Sequence, residues 1–197
     1  MTGVIRVQSE QVIQRFMKTG ALLEGHFVLT SGLHSPVYLQ CALVLQQPRE
    51  AEEFGRSIAE HFQNERVQTV AAPAIGGIVI GHEVARALKA RFIWTERQDG
   101  KMTLRRGFSV APGEKVLVVE DVVTTGGSTR ETVAALQALG ANVVGAASII
   151  DRSAGQADVG VPRIALATLN VASVDPSFCE LCKRGDPAVK PGSRKGK

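Results

Sequence analysis

Cysteine is scarce in this chain. Three residues, Cys41, Cys179 and Cys182, among 197 exclude a disulfide-stapled scaffold and suit a reducing compartment. Long apolar runs are missing too, because glycine, proline or charge interrupts each of them well before the roughly 18 residues a membrane span needs. The opening MTGVIRVQSE lacks the basic-then-apolar pattern of a secretory leader, so the expectation is a cytoplasmic protein. There is no internal repeat. Histidine is sparse, and none of His26, His34, His61 and His82 stands at metal-ligand spacing, so each reads as an ordinary surface or packing residue and no metal ligands are assigned. Cys179 and Cys182 form a single C-x-x-C, and a structural zinc would need two further ligands from elsewhere in the chain or from a second subunit. The reading is ordinary thiols, with an intersubunit metal site or redox chemistry as the alternatives.

The net charge of +4 does not indicate a nucleic-acid partner. Residues 183–197 hold six of the 23 basic residues and one of the 19 acids, which leaves 17 basic against 18 acidic over the rest. The body is nearly neutral, and the Pro/Gly/Lys-rich end reads as a mobile, solvated tail.

With 44% hydrophobic and 21% charged residues, the chain suits one domain with a sizeable core. Residues 10–18 carry Val12, Ile13, Phe16 and Met17 at helical spacing, with Ser9 as N-cap and Gly20 as stop. Short strands are expected at 27–29 and 37–41, joined by a Gly/Pro turn into a hairpin. A helix over 48–62 precedes a strand at 67–71, a loop at 72–77, a helix at 78–90 and a strand at 91–95. Residues 96–107, ERQDGKMTLRRG, are polar, basic and weakly periodic, which fits a solvated hairpin or a mobile loop. A strand at 116–119, a helix at 130–139 and strands at 142–150 and 163–167 follow. Alternating strands and helices imply an α/β fold with a doubly wound, mainly parallel sheet that binds ligands at the carboxyl ends of its strands.

The most informative segment runs from Val116 to Thr129. A continuous aliphatic strand leads into Glu120 and Asp121, then Val122 and Val123, then the turn Thr124, Thr125, Gly126, Gly127, Ser128. Its glycines let backbone N–H groups converge, its hydroxyls add donors, and a helix N-terminus follows, which together make an anion cradle. It lacks the Lys of a P-loop and the G-x-G-x-x-G of a dinucleotide site. Two carboxylates beside a phosphate cradle suit a ligand with a phosphate at one end and hydroxyls in the middle, as in a phosphorylated sugar. A second Gly-rich turn, Ala74, Ile75, Gly76, Gly77, also follows a buried strand and opens a helix, and it can take a second anion through backbone N–H groups.

The first segment resembles the phosphoribosyl-pyrophosphate (PRPP) motif of the type I phosphoribosyltransferases. The resemblance implies that Glu120 and Asp121 hold the ribose hydroxyls, that Thr124 to Ser128 wrap the 5′-phosphate with Val122 and Val123 also in the PRPP site, and that Ala74 to Gly77 contact pyrophosphate. Within that family, the stretch Phe27-Val-Leu-Thr-Ser31-Gly32-Leu-His-Ser35-Pro36-Val-Tyr38 is similar to the N-terminal hood of the orotate enzymes, which spans 1–45 here. Ile149-Ile150-Asp151-Arg152 ends a strand with an Arg that can bind a carboxylate bidentately. The resemblance therefore places orotate on Arg152, Thr124 and Tyr38. The basic stretch 96–107 stands where the family has a catalytic loop reaching the neighbouring subunit's site, which implies a homodimer with Arg97, Lys101 and Asp121 as catalytic residues. It departs from the family pattern in lacking a second consecutive base and a histidine, and Thr30 stands where many orotate enzymes have Lys. The implied cofactor is Mg²⁺, held mainly by PRPP and water. The rivals are a purine phosphoribosyltransferase and a PRPP-sensing regulator that binds nucleic acid. A near-neutral body without a separate recognition helix disfavours the regulator.

Overall fold

The computed structural model of the chain describes residues 9–29, 32–171 and 173–190. Thr30, Ser31 and the last seven residues of the basic tail lie outside them. Helix α1 (Ser9–Lys18) buries Val12 and Phe16. Ser9, expected as its N-cap, is the first helical residue, and its hydroxyl donates to Leu166 O at 3.1 Å. Strands β1 (Leu22–Val28) and β2 (His34–Leu39) pair antiparallel as a separate two-stranded sheet. Residue 41, expected in the second strand, instead opens a short helix α2 (Cys41–Leu45) that buries Cys41, Val44 and Leu45.

Six strands form the main sheet in the order β5-β4-β3-β6-β7-β8: β3 (Thr69–Pro73), β4 (Arg91–Gln98), β5 (Lys101–Leu104), β6 (Lys115–Val123), β7 (Asn142–Asp151) and β8 (Arg163–Thr168). All pair parallel except β5, which returns antiparallel along β4. Helices α3 (Pro48–Glu60) and α4 (Gly77–Leu88) pack against one face of the sheet, and α5 (Gly127–Ala138) against the other. Alternation along β6 shows why its aliphatic run is continuous. Leu117 and Val119 join the core with Phe54, Ile58 and Ile80, whereas Val116 and Val118 join Val133, Leu136 and Ile93 on the opposite face. A strand covered on both sides has no polar face to show.

From β3 the chain crosses through α4 to β4 on one side, and from β6 it crosses through α5 to β7 on the other. The chain thus reverses direction across the sheet between β3 and β6, which opens a crevice at their carboxyl ends. Both Gly-rich turns flank that crevice.

The segment 96–107 is an ordered hairpin. Asp99 and Gly100 have φ of +50° and +80°, the two-residue turn that matches strand twist, and Glu96 pairs with Arg105 and Arg106. The basic tail, expected to be mobile from Lys183, is docked as far as Val189. That residue's N–H donates to His26 O at 2.8 Å, and its carbonyl accepts from Val28 N–H at 2.9 Å. Backbone pairing with an open strand edge offsets the lack of apolar residues in this segment. Among the described residues no helix is long and apolar enough to cross a membrane.

Candidate active site

Strand β6 runs four residues further than its apolar run indicates, so Glu120 and Asp121 lie within the strand and are half-buried. Glu120 accepts a short hydrogen bond from the Thr129 hydroxyl. Burial lifts its carboxyl to about 7 against the pull of that bond, and neighbouring Asp121 adds to the rise. Burial likewise raises Asp121, opposed by the Val122 N–H at 2.9 Å and by the thiol of Cys41. That thiol is itself pushed up, by burial first and by Asp121 second. Thr129, expected as a hydroxyl donor of the anion cradle, donates to Glu120 instead, and Cys41 is a contact that sequence reasoning missed; it comes to Asp121 through α2, a helix whose five apolar residues carry no helical period.

The second turn meets the first here. A Cβ on Gly76 would stand 2.8 Å from Asp121 Oδ1, so only glycine lets the residue 74–77 turn approach the acid pair. The Ala74–Ile75 peptide is cis, Ala74 N–H donates to Thr95 O at 2.8 Å, and Ile75 is 85% exposed. Gly77 packs its helix on β6, since a Cβ there would lie 2.9 Å from Val119 O. Gly126 opens α5 with φ +78°, and its own missing Cβ leaves room for Val159 and Ala157. Gly127 N–H points to Thr125 Oγ1 at 3.4 Å, while Thr124 and Thr125 are exposed and Ser128 half-buried.

Two cavities adjoin at the end of β6, and consecutive residues face them because strand side chains alternate. Asp121 lines one of about 490 Å³ with Ile75, Gly76 and Gln40. Val122 lines the other, about 430 Å³, with Thr124, Thr125, Arg152, Tyr38 and Leu33. Val123 is buried and stands opposite Asp151. The structure therefore brings Tyr38, Thr124 and Arg152 together, and adds Val171 and Ser173 from the connection after β8, which no motif announces. Arg152 reaches Ser35 Oγ at 3.4 Å through Nη2, while its buried Nε has no hydrogen-bond partner among the described residues. Burial lowers the guanidinium's pKa, although it stays charged at any working pH.

Arg152 is held by its neighbour. Asp151 is 2% exposed and accepts from Ser153 N–H, Ser153 Oγ, Gly155 N–H and the Arg163 guanidinium at 2.6 to 3.0 Å. Burial alone would raise this carboxyl, but those bonds outweigh it and hold it below the usual range.

Arg97 and Lys101 are not at the crevice of their own chain. Arg97 pairs with Glu131 at 2.8 Å and donates to Gly100 O, and Lys101 starts the edge strand opposite Gln98. Away from this site, His26 and His34, expected as ordinary histidines, are both buried and meet Cys179 and Cys182.

The family described as phosphoribosyl transferase domain matches residues 42–176, which covers both turns, the acid pair and Arg152. An orotate phosphoribosyltransferase of Desulforamulus reducens is 55% identical over 185 residues, 94% of this chain and 97% of that protein. Its counterpart from Thermotoga maritima is 54% identical over 90% of this chain and 95% of its own. The crystal structure of orotate phosphoribosyltransferase from Aeropyrum pernix superposes with TM-score 0.65 at 27% identity, covering 80% of this chain and 93% of that one. The adenine phosphoribosyltransferase of Thermoanaerobacter pseudethanolicus, at 16% identity and TM-score 0.58 over 68% of this chain and 88% of its own, shares the fold alone. The chain belongs to the phosphoribosyltransferases and, within them, to the orotate phosphoribosyltransferases.

Proposed function

We propose that the crevice binds PRPP across the β3–β6 switch and orotate in the cavity beneath β2, and joins them into orotidine 5′-monophosphate. The C1′–N1 bond forms as the C1′–O bond to pyrophosphate breaks, the bonding pair leaves with pyrophosphate, and the proton given up by N1 passes to the departing pyrophosphate or to water. Glu120 and Asp121 take the ribose hydroxyls, and their charge stabilises the oxocarbenium-like carbon. Thr124 to Ser128 and the start of α5 take the 5′-phosphate, and the 74–77 turn takes pyrophosphate through its backbone. The carboxyl oxygens of the acid pair are hard donors of the kind Mg²⁺ accepts, so Mg²⁺ would sit by them largely on substrate oxygens and water, neutralising charge on the leaving group when bound.

The observation that carries the choice of base is Arg152, a half-buried guanidinium whose buried Nε has no partner among the described residues and which faces a cavity of base size. An unsatisfied buried charge is costly until a carboxylate arrives, and a neutral purine offers none. Assay of orotate, uracil, adenine, hypoxanthine and xanthine with PRPP and Mg²⁺ tests this; orotate alone should turn over, and a better purine substrate would overturn it.

We also propose a homodimer in which Arg97 and Lys101 serve the partner's site. Three strand steps separate β5 from β6, about 14 Å at ~4.8 Å per step, so Lys101 is poorly placed for its own acid pair. Mixing Lys101→Ala chains with Asp121→Asn chains should restore activity to two inactive parents, because a hybrid holds one intact site. Exchange of subunits without recovery would confine Lys101 to its own chain.

A further inference from the structure

We infer that His26, His34, Cys179 and Cys182 form a tetrahedral zinc site within one chain, which clamps the N-terminal hairpin to the C-terminal segment. Their ligand atoms all lie within 4.8 Å of one another. The nitrogen–sulfur separations are 3.5 Å (Cys179 Sγ to His26 Nε2), 3.6 Å (Cys182 Sγ to His26 Nε2) and 3.3 Å (Cys182 Sγ to His34 Nδ1). A tetrahedron with Zn–N arms of ~2.0 Å and Zn–S arms of ~2.3 Å has nitrogen–sulfur edges of about 3.5 Å and a nitrogen–nitrogen edge of about 3.3 Å. The three sulfur edges already fit. The His26 Nε2 to His34 Nδ1 edge is 2.7 Å and has to open by roughly half an ångström.

The surroundings favour a metal over a chance meeting. His26 Nδ1 lies 2.8 Å from the carbonyl of Asp186. A carbonyl only accepts, so Nδ1 carries the proton and the neutral ring turns the lone pair of Nε2 toward the cluster, as a metal ligand's outer partner does. Cys179, His26 and His34 are at most 8% exposed, Cys182 completes the cluster from the solvent side, and all three cysteines of the chain are free thiols. Two sulfurs and two imidazoles in a closed, four-fold arrangement match structural zinc, which keeps no open position.

The hairpin brings the histidines together. His34 stands opposite Val28, and His26 lies in the bulge where the register of β1 shifts between Glu24 and Phe27, which turns its ring onto His34 with centroids 4.7 Å apart. A two-stranded sheet is marginal by itself. This one carries Tyr38 and Ser35 toward the base cavity, and its other ties to the C-terminal segment include the His26–Asp186 hydrogen bond and the Phe27–Val189 and His34–Val174 bridges. Zinc would fix that wall of the cavity without touching substrate, so the inference stands apart from the reaction proposed above.

Elemental analysis of the untagged full-length protein, purified under reducing conditions and then incubated with equimolar zinc, should find about one zinc per chain. Titrating its thiols with a mercurial should release that zinc as two thiols react. The Cys179→Ser/Cys182→Ser double variant should lose the metal, whereas Cys41→Ser should keep it. Because the double variant may not fold, cobalt replacement in the wild-type chain decides independently: intense tetrahedral d–d bands with thiolate-to-cobalt charge transfer are expected. Less than a tenth of a zinc per chain, undiminished zinc in a folded double variant, or an octahedral cobalt spectrum would each overturn the site.

Discussion

Strands β6 and β7 are adjacent and parallel and carry carboxylates toward the same, carboxyl end of the sheet, yet their acids are treated in opposite ways. Asp151 on β7 is more deeply buried than the pair on β6, but five donor atoms surround it and its proton is held off. Glu120 and Asp121 have few partners, mainly Thr129 for one and Val122 N–H and the Cys41 thiol for the other, and both are raised. Surface exposure alone therefore does not separate the two kinds of acid: burial raises the β6 pair, whereas at Asp151 hydrogen bonds outweigh it. Hydrogen bonding adds to the contrast: Asp151 is fully engaged by the turn that presents Arg152, whereas the β6 pair keeps lone pairs free, as its proposed role on the ribose hydroxyls requires.

The comparison would break most visibly in activity. Glu120→Gln and Asp121→Asn should each stay folded and lose about 10²- to 10³-fold in turnover, the cost of one optimised electrostatic contact. Steady-state rates alongside thermal melts check it, and near wild-type turnover in the double variant would remove the acid pair from the mechanism. Asp151→Asn should behave in reverse. It leaves Arg163 buried with half its partner, and a loss of about 3 kcal/mol of stability is expected in denaturant melts. The folded carboxyl is held low, so its contribution is present above the unfolded value near pH 4 and fades as pH falls below it. The deficit of the variant should accordingly be full at neutral pH and shrink in acid.

Arg152→Ala sharpens the contrast between the two cavities. The Michaelis constant for orotate should rise roughly 10- to 100-fold, in line with a charged hydrogen bond of about 1.5 to 3 kcal/mol, and that for PRPP far less. Equal rises would deny Arg152 its place on the base. The smallest expected effect is in pH. Glu120 is raised to about 7, so its protonated form favours the fold below the unfolded value near 4.5, and that advantage is lost as pH climbs toward 7. Relative to Glu120→Gln, the wild-type melting temperature should drop by a few degrees, about 3 to 6 °C, between pH 5 and pH 8.

The active site could be read ahead of the structure to the degree that it is local. Val116 to Ser128 is one uninterrupted stretch in which strand, acids and phosphate turn follow each other, so periodicity and turn chemistry both speak. Boundaries failed where a polar residue sits in a regular element: Glu120 and Asp121 belong to β6 because backbone pairing with β7 continues past its apolar run. The helix at Cys41–Leu45 failed differently, since five consecutive apolar residues fit a buried strand as well as one turn of helix. The histidine and cysteine cluster depends on which strand faces which and where the chain's end docks. No spacing between residues 26, 34, 179 and 182 encodes that, because the separation in sequence between the two pairs is closed by the tertiary fold alone.

The Arg152 N–H donates to Val123 O at 2.8 Å, and Val122 stands opposite Ile150 in the ladder. The turn proposed to hold the phosphate and the arginine proposed to hold the base thus hang on consecutive rungs of one backbone, and in the proposed complex the gap between anomeric carbon and ring nitrogen is set in units of strand. A slip of one residue between β6 and β7 would move one substrate past the other by about 3.3 Å, as large as the whole near-attack separation. Evolution or design can refit either cavity wall freely, while the hydrogen bonds between these two strands act as the enzyme's caliper and leave its jaws no room to drift.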